Sequence, residues 1–209
     1  MDILSFFPII ILIFSIVIHE VAHGAMAYWL GDATAKYAGR LTLNPIPHID
    51  PIGSVVLPLI LWATGSPIFF GWAKPVPYNP YNLRDQKYGP ALVSIAGPGS
   101  NLLLALMFGI LIRILVAYAP MSFAIANFIG LLSYIVLINI FLAVFNLVPI
   151  PPLDGSKILY ALLPDSAYKI KMFLEQWGMF LLLIFIFYLS GIIMPIVQIL
   201  YQLATGISF

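Results

Sequence analysis

Four long apolar runs, separated by polar and proline-rich stretches, set the pattern of this chain. They occupy residues 3–30, 91–118, 123–145 and 178–204. A helix needs about 20 apolar residues to cross a hydrocarbon core of about 30 Å, and each run reaches that length. The pattern therefore predicts four membrane-spanning helices.

The apolar pattern allows more than one structure in three other places. Residues 52–64 are apolar but short for a full crossing and contain Pro58, which favours a re-entrant segment or a short span. The last run contains Ser190, Gly191 and Pro195, which can kink one helix or split the run into a hairpin. Residues 35–44 alternate in part between polar and apolar side chains, as a strand does.

Together these patterns predict an all-α polytopic membrane protein with about four to six transmembrane helices. A small interfacial or re-entrant β element and a re-entrant segment would complete the fold, and we expect residues 1–209 to form one domain. The composition agrees, because 62% of the residues are hydrophobic and only 8% are charged. A net charge of +1 provides no basic surface for nucleic acid, so partners are expected in the lipid bilayer.

Basic residues indicate the orientation of the spans. Residues 31–90 and 146–177 carry most of the lysines and arginines, whereas Arg113 lies near the opposite end of its run. Cytoplasmic connections are enriched in such residues, so both segments are expected on the cytoplasmic side of the cell membrane. The N-terminus would then lie outside.

The sequence HEVAHG, residues 19–24, lies near the end of the first apolar run. His19 and His23 are four residues apart and share one face of a helix, and Glu20 between them can act as a general base, as in the HExxH zinc peptidases. A polar helix face in contact with solvent is the alternative interpretation. It is disfavoured because an ionisable group within an apolar run is costly and is usually functional.

A zinc site needs a third protein ligand, and the chain has no cysteine. The candidates are His48, Asp50 and Asp154. His48 can equally be a turn residue bonded to the backbone, and Asp154 can equally cap the helix that follows Gly155. Asn146 and Asp154 flank a proline-rich stretch after the third span, at the same predicted membrane depth as HEVAHG. Such irregular backbone is tolerated at that depth only where protein or water surrounds it.

HEVAHG together with FNLVPIPPLDG, residues 145–155, resembles the site-2 proteases, which are intramembrane zinc metalloproteases. NPIPHIDPIG, GWAKPVPYNP and GPGSN, at residues 44–53, 71–80 and 97–101, resemble the small bacterial and archaeal members that lack a PDZ domain. The resemblance implies one zinc ion per chain, held by His19, His23 and Asp154. Glu20 would activate water, and Asn146 would stabilise the tetrahedral intermediate.

Two asparagines have simpler alternative roles. Asn146 can form an interhelical hydrogen bond, which is worth about 1 kcal/mol in a membrane. Asn101 follows Gly97, Gly99 and Ser100, which allow close helix approach, so it can anchor packing instead of taking part in catalysis.

The implied activity is that of a metalloendopeptidase acting in regulated intramembrane proteolysis, which cleaves peptide bonds in or near transmembrane segments of membrane-anchored substrates. The predicted strand at residues 35–44 would pair with the unwound substrate. A membrane metal-ion transporter and an inactive relative that only binds membrane clients are the alternatives. No pattern in the sequence specifies the substrate, the need for a prior cleavage or the oligomeric state.

Overall fold

The computed structural model describes residues 7–65, 71–120 and 122–208, and these residues contain helices but no strand. The α-helices are α1 Phe7–Trp29, α2 Thr34–Tyr37, α3 Leu57–Ala63, α4 Gly89–Tyr118, α5 Phe123–Asn146, α6 Asp154–Leu162, α7 Tyr168–Ile184 and α8 Ile193–Thr205. Short 3-10 helices are formed by Ile46–His48, Pro80–Asn82, Asp165–Ala167 and Ser190–Ile192, and π-helices by Pro51–Val56 and Phe185–Leu189.

The expected all-α membrane fold is confirmed. Four helical segments are long and apolar enough to span a membrane: Phe7–Trp29, Gly89–Tyr118, Phe123–Asn146 and Tyr168–Thr205. Residues 3–6 of the first predicted span lie outside the described residues. The other bounds agree with the apolar runs, except that the last segment begins ten residues earlier than the predicted 178.

The last segment remains helical through its Ser-Gly and proline positions. Helices α7 and α8 are joined by a π-turn and a 3-10 turn, and the residues at these junctions keep right-handed helical dihedral angles. Its 38 residues exceed the roughly 20 that cross a hydrocarbon core. This length leaves the polar beginning of α7, with Lys169, Lys171 and Glu175, free to lie outside that core.

Helix α4 is the centre of the bundle, because it packs against α1, α5, α6 and α8. Glycine permits close approach between these helices: a Cβ atom added at Gly109 would lie 2.8 Å from the Cβ of Ala204 in α8. Helix α1 also packs against α5. This arrangement places α1 and the start of α6 on the same central helix, and these two elements carry the site residues.

The strand predicted for residues 35–44 is not formed. Thr34–Tyr37 is a helical turn, and Gly39 has a φ of +66°, which a regular strand does not have. The turn is initiated by the carboxylate of Asp32, which accepts hydrogen bonds from the backbone N–H and the hydroxyl of Thr34. These local bonds outweigh an alternation that covers only part of the segment.

Residues 51–63 form a π-helix followed by α3, and together they are too short for a full crossing. Asp50 starts this segment, since its carboxylate accepts hydrogen bonds from the backbone N–H groups of Ile52 and Gly53. A short helical segment is consistent with the predicted re-entrant element.

Candidate metal centre and active site

The two histidines of HEVAHG lie on the same face of α1 and point toward α6. His19 Nε2 and His23 Nε2 are 3.0 Å apart. The Oδ2 atom of Asp154, the first residue of α6, lies 3.1 Å from each of them. Three potential ligand atoms from two distant parts of the sequence therefore form a nearly equilateral triangle.

This triangle fits a tetrahedral metal ion. Ligand atoms at about 2.0–2.1 Å from zinc, at tetrahedral angles, are separated from each other by about 3.3 Å. The observed edges of 3.0–3.1 Å are close to that value. Two imidazoles and one carboxylate are also the kind of three-ligand set that catalytic zinc sites use, with a fourth position open.

The proline-rich turn before α6 sets the position of Asp154. A Cβ atom at Gly155 would collide with the backbone carbonyl groups of Leu147 and Val148, so only glycine allows the turn to close this tightly against α6. The cap residue of α6 is Leu153, and Asp154 belongs to the first helical turn. Its carboxylate thus faces the two histidines and does not cap the helix.

In a metal-bound site the carboxylate of Asp154 is ionised and both imidazoles are neutral, so that each Nε2 presents a lone pair to the ion.

Each histidine is held through its other ring nitrogen. His23 Nδ1 lies 2.7 Å from the backbone carbonyl of Val93 in α4, and His19 Nδ1 lies 2.6 Å from Oδ1 of Asn101, also in α4. A carbonyl oxygen can only accept, so Nδ1 of His23 carries the proton. In the neutral ring, Nε2 then has a lone pair to offer a metal ion, which is the usual arrangement of a metal-binding histidine.

The carboxylate of Glu20 is held by the backbone of the proline-rich segment at residues 71–80. Its Oε2 atom accepts a hydrogen bond of 2.7 Å from the backbone N–H of Val76. Val76 stands between Pro75 and Pro77, and proline has no backbone N–H. Val76 therefore carries the single backbone donor of these three residues. A single backbone donor therefore orients the glutamate of HEVAHG.

Glycines allow the surrounding elements to approach the site. A Cβ atom at Gly97 would lie 2.5 Å from His23 Nε2 and 2.6 Å from His19 Nε2. A Cβ atom at Gly24 would lie 2.9 Å from a methyl carbon of Val76, the residue that binds Glu20. A side chain at either position would push the neighbouring segments apart. Neither glycine has a positive φ, so the reason for glycine here is space and not backbone conformation.

His48 and Asp50, the other candidate ligands, take part in other hydrogen bonds. His48 is buried, with Nε2 at 3.0 Å from the carbonyl of Thr42, as expected for a turn histidine. Asp50 binds the N–H groups that begin the π-helix. Asp154 is the residue that the structure brings to the histidine pair.

Asn146 lies at the end of α5, close in sequence to the turn that carries Asp154. Its Nδ2 donates a hydrogen bond of 2.9 Å to the carbonyl of Leu142 in its own helix. In this state its amide is not hydrogen-bonded to a residue of the triangle.

Sequence reasoning missed several groups that hold the site. Val76 and Val93 act through backbone atoms, and the identity of a side chain does not reveal such a role. Asn139 is different, because it is a fully buried amide within the apolar helix α5. A polar residue in a membrane span is a recognisable signal, and it could have identified Asn139.

Comparisons with known proteins identify the family of the chain. The model of peptidase family M50 matches residues 112–189. The chain is 42% identical over 186 residues to "Putative zinc metalloprotease YwhC" of Bacillus subtilis, covering 87% of this chain and 81% of that protein. It is 31% identical over 170 residues to "Putative zinc metalloprotease Rip2" of Mycolicibacterium smegmatis, covering 81% of this chain and 62% of that protein.

A shorter match, 43% identical over 67 residues, links the chain to "Putative zinc metalloprotease MJ0611" of Methanocaldococcus jannaschii. No solved structure matches the chain significantly. The similarity to the Bacillus protein extends over most of both sequences. The chain therefore belongs to peptidase family M50, the site-2 protease family of membrane metalloproteases.

Proposed function

We propose that the protein is an intramembrane zinc metalloendopeptidase, which cleaves peptide bonds in or near the transmembrane segments of membrane-anchored proteins. The main support is the triangle of His19, His23 and Asp154, with the carboxylate of Glu20 on the same membrane helix. We assign one zinc ion per chain to this triangle. Regulated intramembrane proteolysis is the process that such an activity serves.

Each site residue has a role in the proposed hydrolysis. Zinc, when bound, supplies a Lewis acid that polarises the scissile carbonyl and lowers the pKa of water. Glu20 takes the proton from the attacking water and later gives it to the departing amine. The bond from Val76 to Oε2 leaves the other oxygen of Glu20 for that proton. No covalent intermediate with the protein is needed.

Asn146 is proposed to stabilise the oxyanion of the tetrahedral intermediate. A side-chain amide directed at such an oxyanion in a dry site is worth about 3 kcal/mol. Its present bond to Leu142 O is a bond within one helix, which a rotation of the side chain breaks. We expect this rotation when substrate is bound.

The substrate must unwind before cleavage, because the N–H and C=O groups of a helix are already paired. We propose that the unwound strand pairs with residues 71–77, in place of the segment at residues 35–44. In this stretch Trp72 and Lys74 donate backbone bonds to Gly53 O and His48 O, and Val76 donates to Glu20. Alternate residues of an extended chain face the same side.

The intervening residues Ala73, Pro75 and Pro77 consequently face the other side. In the described part of the chain their carbonyl groups have no hydrogen-bond partner. They offer a row of acceptors to the N–H groups of a substrate strand.

The active site is proposed to lie toward the cytoplasmic side of the cell membrane. His19 and His23 are in the second half of α1, near the basic connection that follows it, and Asp154 is in the other basic connection. The site residues thus cluster at one membrane depth. A metal-ion transporter would need polar residues distributed across the bilayer, which makes that alternative less consistent with the structure.

The proposal is tested with purified protein in liposomes and a single-span substrate. We expect cleavage by the zinc-loaded protein, loss of cleavage after treatment with a chelator, and recovery when zinc is restored. Zinc transport into sealed vesicles without cleavage would favour the transporter. Binding of the substrate by the zinc-loaded protein without cleavage would favour an inactive relative.

A further inference from the structure

A buried network of polar side chains connects three membrane helices to His19. Asn101 of α4 donates from Nδ2 to the backbone carbonyl of Ser15 in α1, at 3.2 Å, and to Oδ1 of Asn139 in α5, at 2.8 Å. Asn139 donates from its own Nδ2 to Ser15 Oγ and to the carbonyl of Ile135, both at 2.9 Å. Asn101 and Asn139 have 0% exposure, and Ser15 has 3%.

Two backbone carbonyls determine how the amide groups of Asn101 and Asn139 are oriented. The carbonyls of Ile135 and Ser15 can only accept, so each must face an NH₂ group. The amide of Asn139 therefore presents its oxygen to Asn101, and the amide of Asn101 presents its oxygen to His19. An oxygen facing Nδ1 of His19 at 2.6 Å requires that this nitrogen carries the proton.

We propose that Asn139, assisted by Ser15, is a positioning residue of the metal centre. It holds the amide of Asn101 in one orientation and thereby keeps His19 in the tautomer that presents Nε2 to the metal. Asn139 acts at a distance of two hydrogen bonds and touches neither the metal position nor the reacting atoms. The inference rests on the proposed function, since it takes zinc as the ion bound at Nε2.

A purely structural role would have a different signature. Hydrogen bonds between membrane helices contribute about 1 kcal/mol to association, and their loss lowers the stability of the fold without changing how the folded protein binds zinc. A positioning role changes the binding of zinc itself. Partners of metal-binding histidines typically contribute about 10- to 100-fold to metal affinity.

The test measures the zinc Kd of detergent-solubilised protein by competition with a chromophoric chelator, and the visible absorption spectrum of the Co²⁺-substituted protein. Asn139→Leu removes the amide at similar volume. Asn127→Leu, at an exposed position of the same helix, is the matched control. Ser15→Ala removes a single hydroxyl, and it serves as a milder variant if Asn139→Leu does not fold.

We expect Asn139→Leu to raise the zinc Kd at least tenfold and to change the Co²⁺ spectrum. Ser15→Ala should raise the Kd several-fold, and Asn127→Leu should leave both measurements unchanged. A wild-type Kd and spectrum in Asn139→Leu and Ser15→Ala, with only a lower unfolding temperature, would overturn the inference and leave the proposed function intact. Failure of the wild-type protein to bind zinc would overturn the proposed function, and the inference with it.

Discussion

At the scale of single residues, the site depends on groups that are small or that act through the backbone. Gly97 brings α4 against both imidazoles, Val93 and Val76 contribute only a carbonyl and an N–H, and Gly155 lets the turn close against α6. The spacing of His19, Glu20 and His23 was readable in the sequence because it lies within one helix. The partners of these residues come from elsewhere in the chain, so no local pattern could reveal them.

Gly97→Ala is predicted to weaken zinc binding. The added methyl group would lie within 2.6 Å of Nε2 in both histidines, so the rings must move and the triangle opens. We expect at least a tenfold rise in the zinc Kd, measured by chelator competition. Gly99→Ala is the control, because a Cβ atom there has no neighbour within 4 Å. Equal affinities for the two variants would contradict this account of Gly97.

At the scale of elements, side-chain bonds tie the irregular segments to the helices. Asp32, just after α1, has 0% exposure and accepts four hydrogen bonds, two from Thr34 and one each from Asn79 N and Asn82 Nδ2. Burial favours a higher pKa for this carboxyl group, but the bonds from Thr34, Asn82 and Asn79 lower its pKa below the ordinary 3.8. Asp32 thus joins the end of α1 to the segment that carries Val76.

Asp32→Asn is predicted to destabilise the protein in a pH-dependent way. The new NH₂ group would face a backbone or side-chain donor, at a cost of about 2 kcal/mol. A lowered pKa in the folded state stabilises the wild type fully above pH 3.8, and this advantage is lost as the pH falls through the folded-state pKa. Thermal unfolding in detergent should show a deficit at pH 7 that shrinks under acid conditions. A deficit independent of pH would argue against this role.

Helix packing provides a second prediction at this scale. Gly109→Ala places a methyl group 2.8 Å from Ala204, and such overpacking typically costs about 1–3 kcal/mol. The unfolding temperature should fall. Gly130→Ala in α5, where a Cβ atom has no neighbour within 4 Å, should leave it unchanged or raise it. The account of the α4–α8 contact fails if Gly109→Ala is as stable as the wild type.

The elements also show where sequence patterns reach their limit. Long apolar runs located α4 and α5 almost to the residue, because hydrocarbon thickness imposes a length. The alternation at residues 35–44 covers few residues, and the carboxylate of Asp32 selects a helical turn there. The proline in the last run lies at the third residue of α8, where the first turn of a helix tolerates it.

At the scale of the whole molecule, the ends of the long helices form two groups, at opposite ends of the bundle. Helix α1 ends and α4 begins near the basic segment 31–90, whereas α4 ends and α5 begins at the other side. Arg113 near that second side donates hydrogen bonds to the carbonyls of Leu203 and Ala204, so α8 ends there too. The site therefore lies near the side with the basic connections.

This orientation can be measured by cysteine labelling, since the chain has no cysteine of its own. Tyr81 is 81% exposed on the basic side, and Tyr118 is 84% exposed at the end of α4. Tyr118→Cys should react with a membrane-impermeant maleimide in cells whose cell membrane is intact. Tyr81→Cys should react only after that membrane is permeabilised. The opposite pattern would place the site on the outer side.

The most direct test of the central claim compares the wild type with Glu20→Gln for zinc content and for cleavage of a single-span substrate. The variant keeps His19, His23 and Asp154, so we predict about one zinc ion per chain in both proteins. General-base catalysis typically contributes about 10²- to 10⁴-fold, and we expect cleavage by the variant to fall by at least a hundredfold. Cleavage by Glu20→Gln at the wild-type rate, with zinc bound, would contradict the assignment of this site as the proteolytic centre.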